Sequence, residues 1–221
     1  MTSQGRTPRS TILIELMAVV LLAQLIFWFV PGFEFAYTVV PFLYIVTERH
    51  VRSRSWSEFG LKRKAFFSDL KDKWHLFVLV SIVIRFVVIL YSRLWFPELY
   101  LRFWGRVEFL MEGYGRFSPV FMFVALLTLS VFLEELVFRS FIQERLGWFI
   151  GKYPAIVVSS IVFTVSHFAV GRLNVVIADL MLVFLDSSLY GLIYARSRNL
   201  LVVWVAHLLG DYVDLTLMFL L

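Results

Sequence analysis

The chain has 221 residues, 60% of them hydrophobic and only 17% charged, a composition that excludes an ordinary soluble domain. With 24 Phe, 7 Trp and a mean hydropathy of +0.82, it carries more apolar surface than a fold of this size can bury, and points to a polytopic membrane protein. The absence of Cys removes disulfides and thiolate chemistry, and the net charge of +5 comes from basic residues flanking apolar runs, not from a nucleic-acid-binding surface.

In chain order, residues 1–10 are polar and carry Arg6 and Arg9, and residues 11–30 are almost continuously apolar. That run is too long for a signal-peptide core and lacks a small-residue cleavage site, so a retained first span is expected, with Glu15 reaching the headgroups. Pro31-Gly32 breaks it, and residues 33–46 give a short second span. Between residues 48 and 73 the bases Arg49, Arg52, Arg54, Lys62, Arg63, Lys64, Lys71 and Lys73 outnumber four acids and interleave with Trp56, Phe59, Phe66, Phe67 and Leu70. This predicts an amphipathic segment on the cytoplasmic membrane surface, in preference to a docking surface for an acidic partner. Residues 74–90 form a further span in which Arg85 is expected to snorkel or pair. Residues 91–118, with balanced charge and Trp95 and Trp104, suit an interfacial helix on the outer side.

Pro119 opens a central helix that runs through Glu134 towards Leu146, with a turn over residues 147–152. Further spans are expected at residues 154–171, 174–195 and 200–221, the last two joined by a basic turn at 196–199. The reading is an all-α membrane bundle of about seven spans, N-terminus cytoplasmic, with the later basic turns on the same side as the 48–73 segment. It forms one integrated domain: N-terminal spans and basic linker over 1–118, then a four-helix core over 119–221.

The central helix holds the most expensive residues in the chain. Glu134, Glu135 and Arg139 lie in an otherwise apolar run, where ionisable groups must pair or line a wet cavity. Glu135 and Arg139 are four apart and stack on one face in the favourable acid-before-base order. Glu134 is turned about 100° away, so its partner must come from elsewhere. Counting from the turns, Glu134 and His167 lie at matching depth on antiparallel helices, and His207 lies in the same half of the bilayer. His207 and Asp211 share a face, so Glu134, His167, His207 and Asp211 are expected to converge in a pocket open to the cytoplasmic side. Asp179 and Asp186 are expected to pair with Arg85 or Arg172, and Asp214 to face the opposite interface.

Three motifs carry a resemblance. Glu134-Glu135-Leu-Val-Phe-Arg139 fits EExxxR, Phe163-Thr-Val-Ser-His167 fits FxxxH, and His207-Leu-Leu-Gly-Asp211 fits HxxxN/D. In that order the chain resembles the CPBP family of CAAX-processing and bacteriocin-processing intramembrane proteases, over about residues 119–221. The resemblance implies that Glu134 is the general base, that His167 helps hold the attacking water, and that His207 and Asp211 stabilise the oxyanion. Glu135 and Arg139 would brace the helix, and Phe163 belongs to the second motif. Asp211 stands where the family commonly has Asn. A carboxylate donates only when protonated, so an ionised Asp211 would instead orient His207.

The implied activity is a metal-independent glutamic endopeptidase that cuts membrane-associated or lipidated protein substrates, with no cofactor, in a bacterial inner membrane. Two alternatives stand beside it. One is a silent scaffold or immunity-type protein. The other is a zinc variant that uses His167, His207 and Glu134 as ligands, although the chain lacks HExxH spacing.

Overall fold

A computed structural model describes residues 8–33, 35–112 and 119–221. Every apolar run is helical, and no strand occurs among the described residues. α1 (Arg9–Phe29) and α2 (Ala36–Val51) run antiparallel, because Arg52 and Tyr44 near the end of α2 donate to Glu15 at the start of α1 (2.6 and 2.7 Å). Glu15, expected among the headgroups, is therefore paired within the protein.

α3 (Phe66–Val78) passes through a π-helical stretch, Leu79–Val83, into α4 (Ile84–Trp95). Pro97 then opens α5 (Pro97–Glu112), where a missing N–H costs nothing. The central run comprises α6 (Pro119–Glu135), a second π-helical stretch Leu136–Gln143, and α7 (Glu144–Ile150). Its reversal falls within the expected 147–152 turn, at Gly151, whose φ of +84° lies in the left-handed region that glycine favours.

α8 (Lys152–Val165) stops short of the expected residue 171. Ser166 Oγ and His167 Nδ1 donate to the carbonyls of Val162 and Phe163 (3.1 and 2.9 Å), which favours a local turn over continued helix. α9 (Leu173–Ser197) and α10 (Leu200–Leu220) follow, and the Asn199 side chain caps α10 by accepting from the Leu201 N–H at 3.1 Å.

Among the described residues, four helical runs are long and apolar enough to cross a bilayer: α1, Arg63–Trp95, α9 and α10. By length and composition they make the chain an integral membrane protein. α8 is apolar, but its 14 residues reach only about 21 Å.

Two ends of the bundle are distinguished by their contacts. At one, Arg145 pairs with Glu48, Arg198 pairs with Glu144, and the Leu200 N–H donates to Gly60 O at 2.8 Å. At the other, Arg102 holds Asp179 (2.6 Å) and the Ala169 carbonyl (2.8 Å), and Arg172 pairs with Glu98. The later basic turns thus share an end with residues 48–64. After α2 that segment folds as two short 3₁₀ turns, Trp56–Phe59 and Arg63–Ala65, ahead of α3. Ser55 caps the first, and its backbone N–H, donating to Glu58 at 2.8 Å, holds that carboxyl below its usual range. Of the stretch expected to be one interfacial helix, α4 and α5 take the described part, and residues 113–118 lie outside the described residues, as does Arg6.

Gly60 is the pin between the basic segment and the α9–α10 turn. Its φ is +81°, and a Cβ there would stand 3.2 Å from the Tyr194 ring. Gly60→Ala is expected to destabilise the protein by about 1–2 kcal/mol, the cost of a left-handed non-glycine residue. A lowered unfolding midpoint in detergent checks this, and an unchanged midpoint would show that the turn is not under that constraint.

Candidate active site

The four side chains singled out in the sequence come from three places in the fold. Glu134 lies at the end of α6, His167 on the turn after α8, and His207 and Asp211 one turn apart on α10. All four line one cavity of about 370 Å³.

Glu134 is only 8% exposed. A buried carboxylate needs donors, and two hydroxyls supply them. Tyr37, from α2, donates to Oε1 at 3.1 Å, and Ser130, one turn earlier on α6, approaches the same oxygen at 3.4 Å.

The position of His167 follows from its spacing to Phe163. One turn apart, the His167 ring lies 4.2 Å from the Phe163 ring, and its Nδ1 donates to the Phe163 carbonyl at 2.9 Å. A carbonyl only accepts, so Nδ1 carries the proton, and in the neutral form of the ring Nε2 carries a lone pair.

His207 is held from two directions. Its Nδ1 meets Glu135 Oε1 at 2.8 Å, and its ring stacks on Tyr190 with centroids 4.5 Å apart. Glu135, fully buried, takes its second partner from Arg139, whose Nε lies 3.0 Å from Oε2. Arg139 is also fully buried, and its Nη2 donates to Ser187 of α9 at 3.1 Å. The expected Glu135–Arg139 pair is present, and Glu135 does more than brace it. Asp211 lies 3.8 Å from His207 Nε2, beyond hydrogen-bond reach, so Glu135 and not Asp211 fixes the ring.

Further charges meet the same cavity. Arg85 of α4 binds Asp186 (2.7 Å) and Asp214 (2.8 Å) and donates to the Tyr190 hydroxyl at 2.9 Å. The expected Asp186–Arg85 pairing is thus present, whereas Asp214, expected at the opposite interface, faces inward. Asp179 pairs with Arg102 instead of Arg85 or Arg172.

From Glu134 and His207 the cavity extends past Leu127 and Phe123 to Phe103 and Val107 of α5 and Met218 near the end of α10. Those residues belong to the end away from the basic turns. The expected pocket open towards the basic side is therefore corrected in direction. The reason is that Arg145, Glu48 and the 48–64 turns pack over the other end of the central helix.

Tyr37, Ser130 and Tyr190 were not singled out in the sequence. Ser130 had a signal, since it stands one turn from Glu134. Tyr37 and Tyr190 had none, because a tyrosine in an apolar span is most often simply packed. Among the described residues no group of three His, Asp or Glu side chains is disposed to hold one metal ion.

Fold and site define a helical integral membrane protein with a carboxylate–histidine centre inside a bundle cavity. Residues 116–213 match the family model described as type II CAAX prenyl endopeptidase Rce1-like. This match, over just under half of the chain, shows the resemblance to the CPBP family for the segment that carries all three motifs. That segment is similar to a family of membrane-associated endopeptidases. No curated protein and no solved structure matches the chain.

Because Glu135 and Arg139 are shut off from water, removing one of them strands the other. Glu135→Gln and Arg139→Met should each destabilise by about 3–5 kcal/mol, and the double variant should lose less than the sum. Unfolding titrations of the three variants check this, and strictly additive losses would count against the pair.

Proposed function

We propose that the protein is an intramembrane endopeptidase that hydrolyses peptide bonds with water activated by Glu134. The observation that carries this reading is the convergence of Glu134, His167, His207 and Asp211 in one cavity, within the segment that matches the endopeptidase family.

Each step uses a group already in position. Oε1 of Glu134 is engaged by Tyr37, and the other carboxylate oxygen takes a proton from water. The Nε2 lone pair of His167 accepts the second water hydrogen and so aims the oxygen at the scissile carbonyl. The carbonyl oxygen, as it becomes an oxyanion, accepts from His207 Nε2–H. A ring that donates from both nitrogens carries a positive charge, and Glu135 and Asp211 flank it to balance that charge. When the tetrahedral intermediate collapses, the C–N bond breaks and Glu134 returns its proton to the departing amine. The products are a carboxylic acid, which keeps the second water hydrogen and can pass it to the amine, and an amine. In this scheme Asp211 acts through charge and not as a donor.

The apolar wall formed by Leu127, Phe123, Phe103 and Met218 suits a membrane-embedded or lipidated stretch of the substrate next to the bond being cut. The seven-span topology, the cytoplasmic N-terminus and the bacterial inner membrane belong to the same proposal. So does the division into N-terminal spans over 1–118 and a catalytic core over 119–221.

With a fluorogenic peptide carrying a lipidated or membrane-spanning anchor, Glu134→Gln should lower turnover by about 10²–10⁴-fold, the usual contribution of a general base. Asp211→Asn should keep most of the activity, and chelator should leave the native protein unaffected. Normal turnover by Glu134→Gln would sink the mechanism. Loss of activity to chelator with recovery on added zinc would replace it by the zinc reading.

A further inference from the structure

We propose that Tyr37 is a positioning residue for Glu134, so that the centre is completed by α2, outside the segment that matches the protease family. The inference rests on the proposed role of Glu134 and adds to it a group that none of the three motifs contains.

Four observations support it. The Tyr37 hydroxyl lies 3.1 Å from Glu134 Oε1 and lines the same cavity as Glu134, His167 and His207. A phenol is protonated across the neutral range, so towards a carboxylate it can only donate. The hydroxyl has little freedom to look elsewhere. The ring is held by Phe27 (centroids 5.7 Å apart, edge to face), by Phe138 (6.2 Å), and by the edge of His167 itself (6.2 Å). Finally, the other donor to that oxygen, Ser130, stands at 3.4 Å and is the weaker of the two.

The consequence is geometric. A carboxylate on one flexible side chain can rotate, whereas one with Oε1 tied to a fixed phenol presents Oε2 to the water held by His167. Alignment of a base with its proton is where small displacements are costly. Tyr37 touches neither water nor peptide in this account and acts only through Glu134.

The test compares Tyr37→Phe with native protein and with Glu134→Gln, on the anchored peptide. Phenylalanine keeps the ring and its three aromatic contacts and removes only the hydroxyl. The expected result is a fall in kcat of about tenfold with KM unchanged, a displaced acid limb in the pH–rate profile, and an unaltered unfolding midpoint. Tyr37→Leu, which loses the ring as well, should lower both kcat and the midpoint. Unchanged kcat and pH profile in Tyr37→Phe, with Glu134→Gln inactive, would overturn the role of Tyr37 and leave that of Glu134 standing. Full activity in Glu134→Gln would overturn the underlying reading instead. A loss in Tyr37→Phe that appears only as a lowered midpoint would reduce Tyr37 to packing and also overturn the inference.

Discussion

A carboxylate with no access to water must find its partners in the protein, and Glu135 finds two. One oxygen takes Arg139 and the other takes His207, so a cation on the central helix and a histidine on α10 are tied through a single buried acid. Removing water makes the arrangement strict, because an orphaned charge here costs several kcal/mol. The rest of the site inherits this strictness. Arg139 reaches on to Ser187 of α9, and His207 stacks on Tyr190 of the same helix. Tyr190 in turn accepts from Arg85 of α4, which Asp186 and Asp214 hold in place. Position passes through hydrogen bonds and ring contacts across several helices, in a medium where apolar packing alone gives little directional preference.

The same constraint explains the close approach of α10 to its neighbours. A Cβ at Gly210 would stand 2.5 Å from the Tyr190 hydroxyl and 3.1 Å from Arg85 Nε, so a glycine beside Asp211 admits the Arg85–Tyr190 contact. The π-helical stretch Leu136–Gln143 begins directly after Glu135 and contains Arg139. Such stretches are frequent at functional sites, where they shift side-chain phase relative to an ordinary helix.

Much of this was legible in the sequence because ionisable residues in apolar runs are scarce. Glu134, Glu135, Arg139, His167, His207 and Asp211 stand out for that reason, and counting residues from the turns put the first carboxylate level with His167 and in the same half of the bilayer as His207. Spacing of four also gave the Glu135–Arg139 pair. What could not be read were partnerships between distant segments. Nothing in the sequence says that His207 turns to Glu135 in preference to its own neighbour Asp211, or that Asp214 faces inward to Arg85. Tyr37 and Tyr190 were hidden because an aromatic in an apolar span carries no sign of a bonded hydroxyl. Helix ends were misplaced where side chains compete for carbonyls, as at Ser166 and His167. The direction of the cavity was misread because the basic turns look like an open rim, whereas Arg145, Glu48 and Gly60 pack them shut.

The account turns on water attacking the peptide directly, with Glu134 as base and no covalent bond to the protein. Reactions of the purified protein with an anchored peptide, run for a single turnover in ¹⁸O-labelled water and quenched in acid, test this by mass spectrometry of both partners. The account predicts one ¹⁸O atom in the newly formed carboxyl terminus and a protein mass that never changes. A protein–peptide adduct that forms and decays with turnover would contradict it.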